Sequence, residues 1–113
     1  MAMRGYIGLL GGAAATVVLA WAAFPAHAKP ARCFTTDDGE YACEFRALDP
    51  NGSFQISAPG KPTFSLWMES RGVAAAFANF GDRDVALPGQ YHRRKDDPAC
   101  WANPDTDTRI CAR

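Results

Sequence analysis

Four cysteines, Cys33, Cys43, Cys100 and Cys111, carry the clearest chemistry in this chain of 113 residues. An even count in a short exported domain reads as a disulfide framework. Zinc ligation needs closely spaced ligand pairs such as C-x-x-C, and these four lie too far apart for it. Local geometry ranks the three connectivities. Between Cys33 and Cys43, a three-residue loop Asp37-Asp38-Gly39 with Gly39 in the left-handed region places the two cysteines opposite one another, with Tyr41 and Phe45 on the same face. Between Cys100 and Cys111, a four-residue loop Pro104-Asp105-Thr106-Asp107 pairs Asn103 with Thr108 and brings those cysteines opposite. The spacing therefore favours Cys33–Cys43 and Cys100–Cys111, each stabilising by roughly 2–3 kcal/mol in the chain-entropy model. The nested pairing, Cys33 with Cys111 and Cys43 with Cys100, is the alternative.

Other reactive residue types are sparse. His92 is the single histidine beyond residue 28, which excludes a multi-histidine metal site there. Ser53, Ser57, Ser65 and Ser70 are the serines available to it, and none sits in a nucleophile-elbow pattern. The carboxylate groupings Asp37-Asp38, Asp82 with Asp84, and Asp96-Asp97 suit a glycosidase pair or a calcium site, but all fall in turns, where Asp caps its own backbone. No catalytic residue, cofactor or metal is assigned. Binding chemistry is better represented. Trp67, Tyr91 and Trp101 accompany the basic run Arg93-Arg94-Lys95, and aromatic rings beside arginines suit a protein hot spot or a sugar-stacking face. The candidate binding patch is Trp67, Tyr91, Arg93, Arg94 and Trp101. The competing reading buries one or more of these rings over a disulfide, Trp101 beside Cys100 above all.

The elements that must position these residues begin after a leader. Arg4 is followed by an uncharged run from Gly5 to Phe24, then Pro25 and the small-x-small motif Ala26-His27-Ala28, which together read as a cleavable secretory signal over residues 1–28. A retained anchor is the alternative, since about 20 apolar residues can just span a bilayer. Arg32 before Cys33 argues against a lipoprotein cysteine. The leader removes Arg4 and His27. Of 12 basic and 12 acidic residues, 11 and 12 remain, a net charge of 11 − 12 = −1. So balanced a domain carries no electrostatic footprint for nucleic acid or for an anionic membrane surface.

Residues 29–113 show turn signals every eight to twelve residues with short strand-like segments between them, an all-β rhythm. Strands are expected over Cys33 to Asp37, Glu40 to Arg46, Ser53 to Ala58 and Thr63 to Glu69. The last of these sets Phe64, Leu66 and Met68 against Thr63, Ser65 and Trp67. Val85 to Leu87 and Gln90 to Arg94 follow as strands separated by a Pro88-Gly89 turn. Val73 to Phe80 is ambiguous. Val73, Phe77 and Phe80 are spaced like a helical face, but two turns make a marginal helix, and the strand alternative puts Val73, Ala75 and Phe77 on one face with small alanines on the other.

These signals predict one small barrel or sandwich of about seven to nine short strands, stapled by two disulfides and monomeric, with a short helix at 73–80 as the open alternative. The plan of a leader followed by a small disulfide-bonded β domain is similar to that of bacterial periplasmic lysozyme inhibitors. That similarity rests on architecture alone and implies no site residue. The expected function is an exported, periplasmic or secreted, non-catalytic binding module for a protein or glycan of the cell envelope, without membrane contact after leader removal. An inhibitor of a hydrolase such as lysozyme is the first alternative, acting through a protruding loop at Ala58 to Pro62 or Gly81 to Asp84. A small hydrolytic enzyme using His92 is the second.

Overall fold

The computed structural model describes residues 28–113, so the expected leader lies outside the described residues except for Ala28, which opens the first strand. The described chain is all-β: β1 Ala28–Thr35, β2 Gly39–Ala47, β3 Phe54–Ser57, β4 Thr63–Ser70, β5 Val73–Asn79, β6 Asp84–Ala86, β7 Tyr91–Arg93, β8 Cys100–Asn103 and β9 Thr108–Ala112. Within segment 73–80, Val73–Asn79 is therefore strand, with no helix. Neighbouring strands pair antiparallel in chain order from β1 to β5 and from β7 to β9, β7 pairs β5, and β9 returns to β1, which closes eight strands into an up-and-down barrel with β6 as an additional strand on β5. Closure pairs both edges of each of the eight ring strands over part of their length and turns one face of each inward, while β6 is paired on one edge alone.

β6 and β7 occupy the same edge of β5, because β4 covers its other edge from Asn79 back to Val73. Ladder bonds continue between them, with Leu87 N donating to Ala76 O at 2.9 Å and Arg93 N to Gly72 O at 2.9 Å. Phe77 pairs Ala86 while Ala74 pairs Tyr91, so three steps on β5 match five on the facing chain and leave 5 − 3 = 2 residues extra. Pro88-Gly89 is thus an interruption in one run, not a turn between neighbouring strands. An even insertion preserves alternation, so Tyr91 points inward as Leu87 does. Gly89 has φ of 76°, and a Cβ there would meet Asn103 Oδ1 and Asp105 Oδ2 at 2.9 Å, so no larger residue fits the kink.

The inner face is filled by Phe54 and Ile56 of β3, Phe64, Leu66 and Met68 of β4, and Tyr91, Trp101 and Ile110 of β7 to β9. Opposite Leu66 and its neighbours, the alternation of β5 buries Ala74, Ala76 and Ala78 completely or nearly so. A narrow barrel has no room for large side chains from every strand, and β5 supplies the small ones.

Both favoured disulfides form. The Cys100–Cys111 pair is directly opposite within the hairpin, with Asn103 facing Thr108 across the expected four-residue loop. The first hairpin differs in register. Cys33 faces Tyr41 and Ala31 faces Cys43, because Gly39, with φ of 72°, opens β2 and the loop is Thr36-Asp37-Asp38. The shift moves the pairing by an even number of residues, so both cysteines stay inward and bridge diagonally with Cα atoms 5.8 Å apart. One bridge therefore belongs to the core, while Cys100 and Cys111 alternate with the inward Trp101 and Ile110 and staple the outer face. With no free cysteine among the described residues, the chain fits an oxidising compartment.

Replacing Ala76 by leucine overpacks the inner face and is expected to cost about 1–3 kcal/mol, whereas Ala75→Leu on the outer face stays within about 0.5 kcal/mol of the parent. Urea unfolding of the two variants checks the difference.

Candidate functional site

The antiparallel meander sends alternate loops to opposite ends of the barrel. Residues 48–53, 71–72 and 94–99 lie at one end together with Ala28 and Arg113, and there the interior opens into a cavity of about 630 Å³. Its walls are inward residues near the ends of their strands: Phe45, Phe54, Met68, Trp101 and Ala112. The rim adds Asn51, Glu69, Arg71 and Arg93. This volume is in the range of small-ligand sites, about 300–1,000 Å³.

Ring packing shapes the mouth. Phe45 and Phe54 stack with centroids 5.2 Å apart, Phe54 meets Trp101 at 6.3 Å, and Lys29 Nζ lies 5.7 Å over the Phe45 ring. Arg93 is held in place, its guanidinium 5.7 Å from the Trp101 centroid and its Nε donating to Pro98 O at 2.8 Å. No carboxylate among the described residues forms an ion pair with Arg93 or Arg71. Glu69 is engaged by Gln90, whose Nε2 donates to Oε1 at 2.6 Å. The loop 48–53 is built by Asp49, whose Oδ1 accepts from Asn51 N at 2.9 Å and Ser53 N at 3.0 Å. Partial desolvation acts to raise the Asp49 pKa, but the bonds from Ser53 and Asn51 together outweigh it and hold the carboxyl below its usual value.

A second concavity, about 450 Å³, lies on the outer face over the Cys100–Cys111 bridge. Arg32, Arg94, Arg109 and Arg113 line it with Glu40, Asp96 and Asp97. Arg94 Nη2 reaches Asp96 Oδ2 at 2.7 Å and Arg113 Nη2 reaches Asp97 Oδ2 at 2.8 Å, so most of its charge is satisfied internally. Arg109 instead covers Phe34, 4.8 Å from the ring centroid.

The far end of the barrel is closed and acidic. Asp37, Asp38, Asp82, Asp84, Asp105 and Asp107 gather there against Lys61 and Arg83. Lys61 Nζ lies 3.7 Å from Asp38 Oδ1 and 5.4 Å over the Tyr41 ring. Beneath it the Tyr41 hydroxyl is buried without a hydrogen-bond partner, and burial first, Asp38 second, raise its pKa.

The five residues of the expected patch do not form one surface. Tyr91 is buried, its hydroxyl 3.0 Å from Thr108 Oγ1, and Trp101 is buried beneath Arg93. Trp67 is 43% exposed on the outer face of β4 opposite Ala75, and Arg94 belongs to the outer concavity. Only Arg93 and Trp101 come together, at the mouth. The residues missing from that expectation, Phe45, Phe54, Met68, Asn51 and Arg71, have an inward or loop position in their own segments, and only ring closure gathers them. His92 lines neither concavity and faces Val73 and Ala102 on the outer side. Ser53 Oγ accepts from Met68 N at 2.8 Å and Ser65 Oγ from Gln55 Nε2 at 3.2 Å, so both are structural. Among the described residues, no group of three or more His, Cys, Asp or Glu is placed to hold a metal ion.

Together these features define a small closed barrel with one plugged acidic end and one open end of aromatic wall and arginine rim. No protein-family model, curated protein or solved structure matches the chain.

The Arg113 tether gives a pH prediction. The hydrogen bonds from Arg113 come first in lowering the Asp97 pKa below its ordinary 3.8, with desolvation opposing. A depressed folded-state pKa stabilises above the unfolded value and is lost as pH falls through the folded one, so the window lies below 3.8. Amide exchange at Arg32 and Arg113, which bond each other's backbone at 2.7 and 2.9 Å, should accelerate between about pH 4 and pH 2 beyond the intrinsic trend. Asp97→Asn should abolish that excess.

Proposed function

We propose that this protein is an exported, non-catalytic binding module that takes its ligand into the open end of the barrel. The observation that carries this reading is the cavity of about 630 Å³, lined in similar measure by apolar side chains such as Phe45 and Met68 and by polar groups of its rim. Two further features support it. Arg93 is immobilised by Trp101 and Pro98, which lowers the entropic cost of using its remaining donors on a ligand. Two disulfides fix the scaffold around the cavity, and together with the leader pattern they support action in the periplasm or outside the cell. The partner is a protein or glycan of the envelope.

Met68→Trp fills the mouth from the inner face of β4, whereas Trp67→Ala alters the outer face one residue away. Immobilised parent and Trp67→Ala protein should retain the same envelope component, and Met68→Trp should retain about tenfold less of it. Equal retention by all three, with circular dichroism unchanged, removes the mouth from consideration.

A second reading is inhibition of a hydrolase such as lysozyme. It is supported by the closed end, where residues 58–62 and 80–83 emerge side by side among aspartates and Phe80 is 68% exposed. An acidic, loop-bearing face suits a cationic enzyme cleft. Purified protein should then inhibit a member of a lysozyme panel, with Asp82→Lys and Asp84→Lys weakening inhibition at low salt. Activity unchanged across the panel ends this reading.

A further inference from the structure

We infer that the barrel mouth recognises a free peptide C-terminus, with the terminal carboxylate on Arg93 and the last apolar side chain against Phe45 and Met68. This rests on the proposed binding role of the mouth. Arg93 lies at the inward parity of β7, yet it is exposed because it is the last residue of its strand, so its guanidinium stands at the edge of the cavity. Its Nε is committed to Pro98 O and its plane lies over Trp101, which leaves the terminal amino groups as a fork without a carboxylate partner among the described residues. A guanidinium fork matches a carboxylate bidentately.

The charge around it favours an anion. Arg71 shares the rim, and Glu69, the one acidic residue lining the cavity, is held by Gln90. Lys29 stands nearby over Phe45. The apolar part of the lining, Phe45 and Met68, favours an aliphatic side chain over a sugar. Sugar recognition uses an open aromatic face, but Trp101 is buried under Arg93, and Phe45 is stacked on Phe54 with Lys29 over its ring. What remains to a ligand is the half-buried surface of Phe45 and the flexible thioether of Met68.

The test titrates isotope-labelled, oxidised protein with an N-acetylated hexapeptide ending in leucine, its C-terminal amide, and an oligosaccharide bearing muramic acid carboxylates. The free-acid peptide should shift the amides of Gly52, Met68, Arg93 and Ala99, and the amide form should bind about tenfold more weakly or worse. Arg93→Gln should erase the difference between acid and amide, and Arg93→Lys should retain only part of it, in proteins whose spectra outside the mouth are unchanged. Equal binding of acid and amide at the mouth overturns the carboxylate inference while leaving the mouth as a binding site. Tighter binding of the oligosaccharide there overturns the peptide assignment alone. Absence of any mouth shift with all three probes overturns the inference and counts against the binding role as well.

Discussion

Everything in this fold depends on the ladder between β1 and β9, which joins the two ends of the described chain. Cys33 faces Ala112, Phe34 faces Cys111 and Thr35 faces Ile110, and the backbones of Arg32 and Arg113 exchange bonds beyond them. Without that pairing the sheet would present two open edges and a long apolar face to water, a poor arrangement for a domain this small. With it, each ring strand has an inside, and the inside is narrow enough that three alanines of β5 are required as much as the Phe64, Leu66 and Met68 they pair with. The two disulfides staple the hairpins on either side of that ladder, one from each surface. Cys33–Cys43 ties β1 to β2 within the core, and Cys100–Cys111 ties β8 to β9 outside it.

Closure also creates polarity in a domain whose formal charge is close to zero. Loops at one end carry a concentration of aspartates, and that end is sealed by Lys61 over Tyr41. The other end holds Arg71 and Arg93 around a cavity. Neither property exists along the chain, where acidic and basic residues are interspersed. Surface ion pairs such as Arg94–Asp96 and Arg113–Asp97 contribute little to global stability, but they anchor the loop beside the mouth and the last residue of the chain.

The strand rhythm was legible because side chains alternate with period two, and Phe64, Leu66 and Met68 join the core opposite the alanines of β5 while Thr63, Ser65 and Trp67 take the other face, Ser65 being covered there beside Gln55. Disulfide partners were legible because hairpin loops restrict which cysteines can meet, even though the register of the first hairpin differs. Parity protected that conclusion, since a two-residue shift keeps the same side chains inward. Segment 73–80 was ambiguous because its alanines suit both helix and tight strand packing, and the free edges of β4 and of the β6–β7 run decided it. The patch around Arg93 was only partly legible. Tyr91 and Trp101 look alike to Trp67 in sequence, but pairing with the inward Ala74 and the parity of β8 turn them inward, while β4 turns Trp67 outward.

Sequence alone therefore determined the all-β rhythm, the favoured ranking of the disulfide pairings and the inward set of the strands with clear alternation, because turn chemistry and period-two alternation are local. Tertiary structure alone decided that eight strands close into one ring, that β6 and β7 share an edge, and that the inward ends of distant strands meet around an open mouth. Those outcomes depend on long-range pairing and on how much volume the ring encloses, quantities to which no single segment has access.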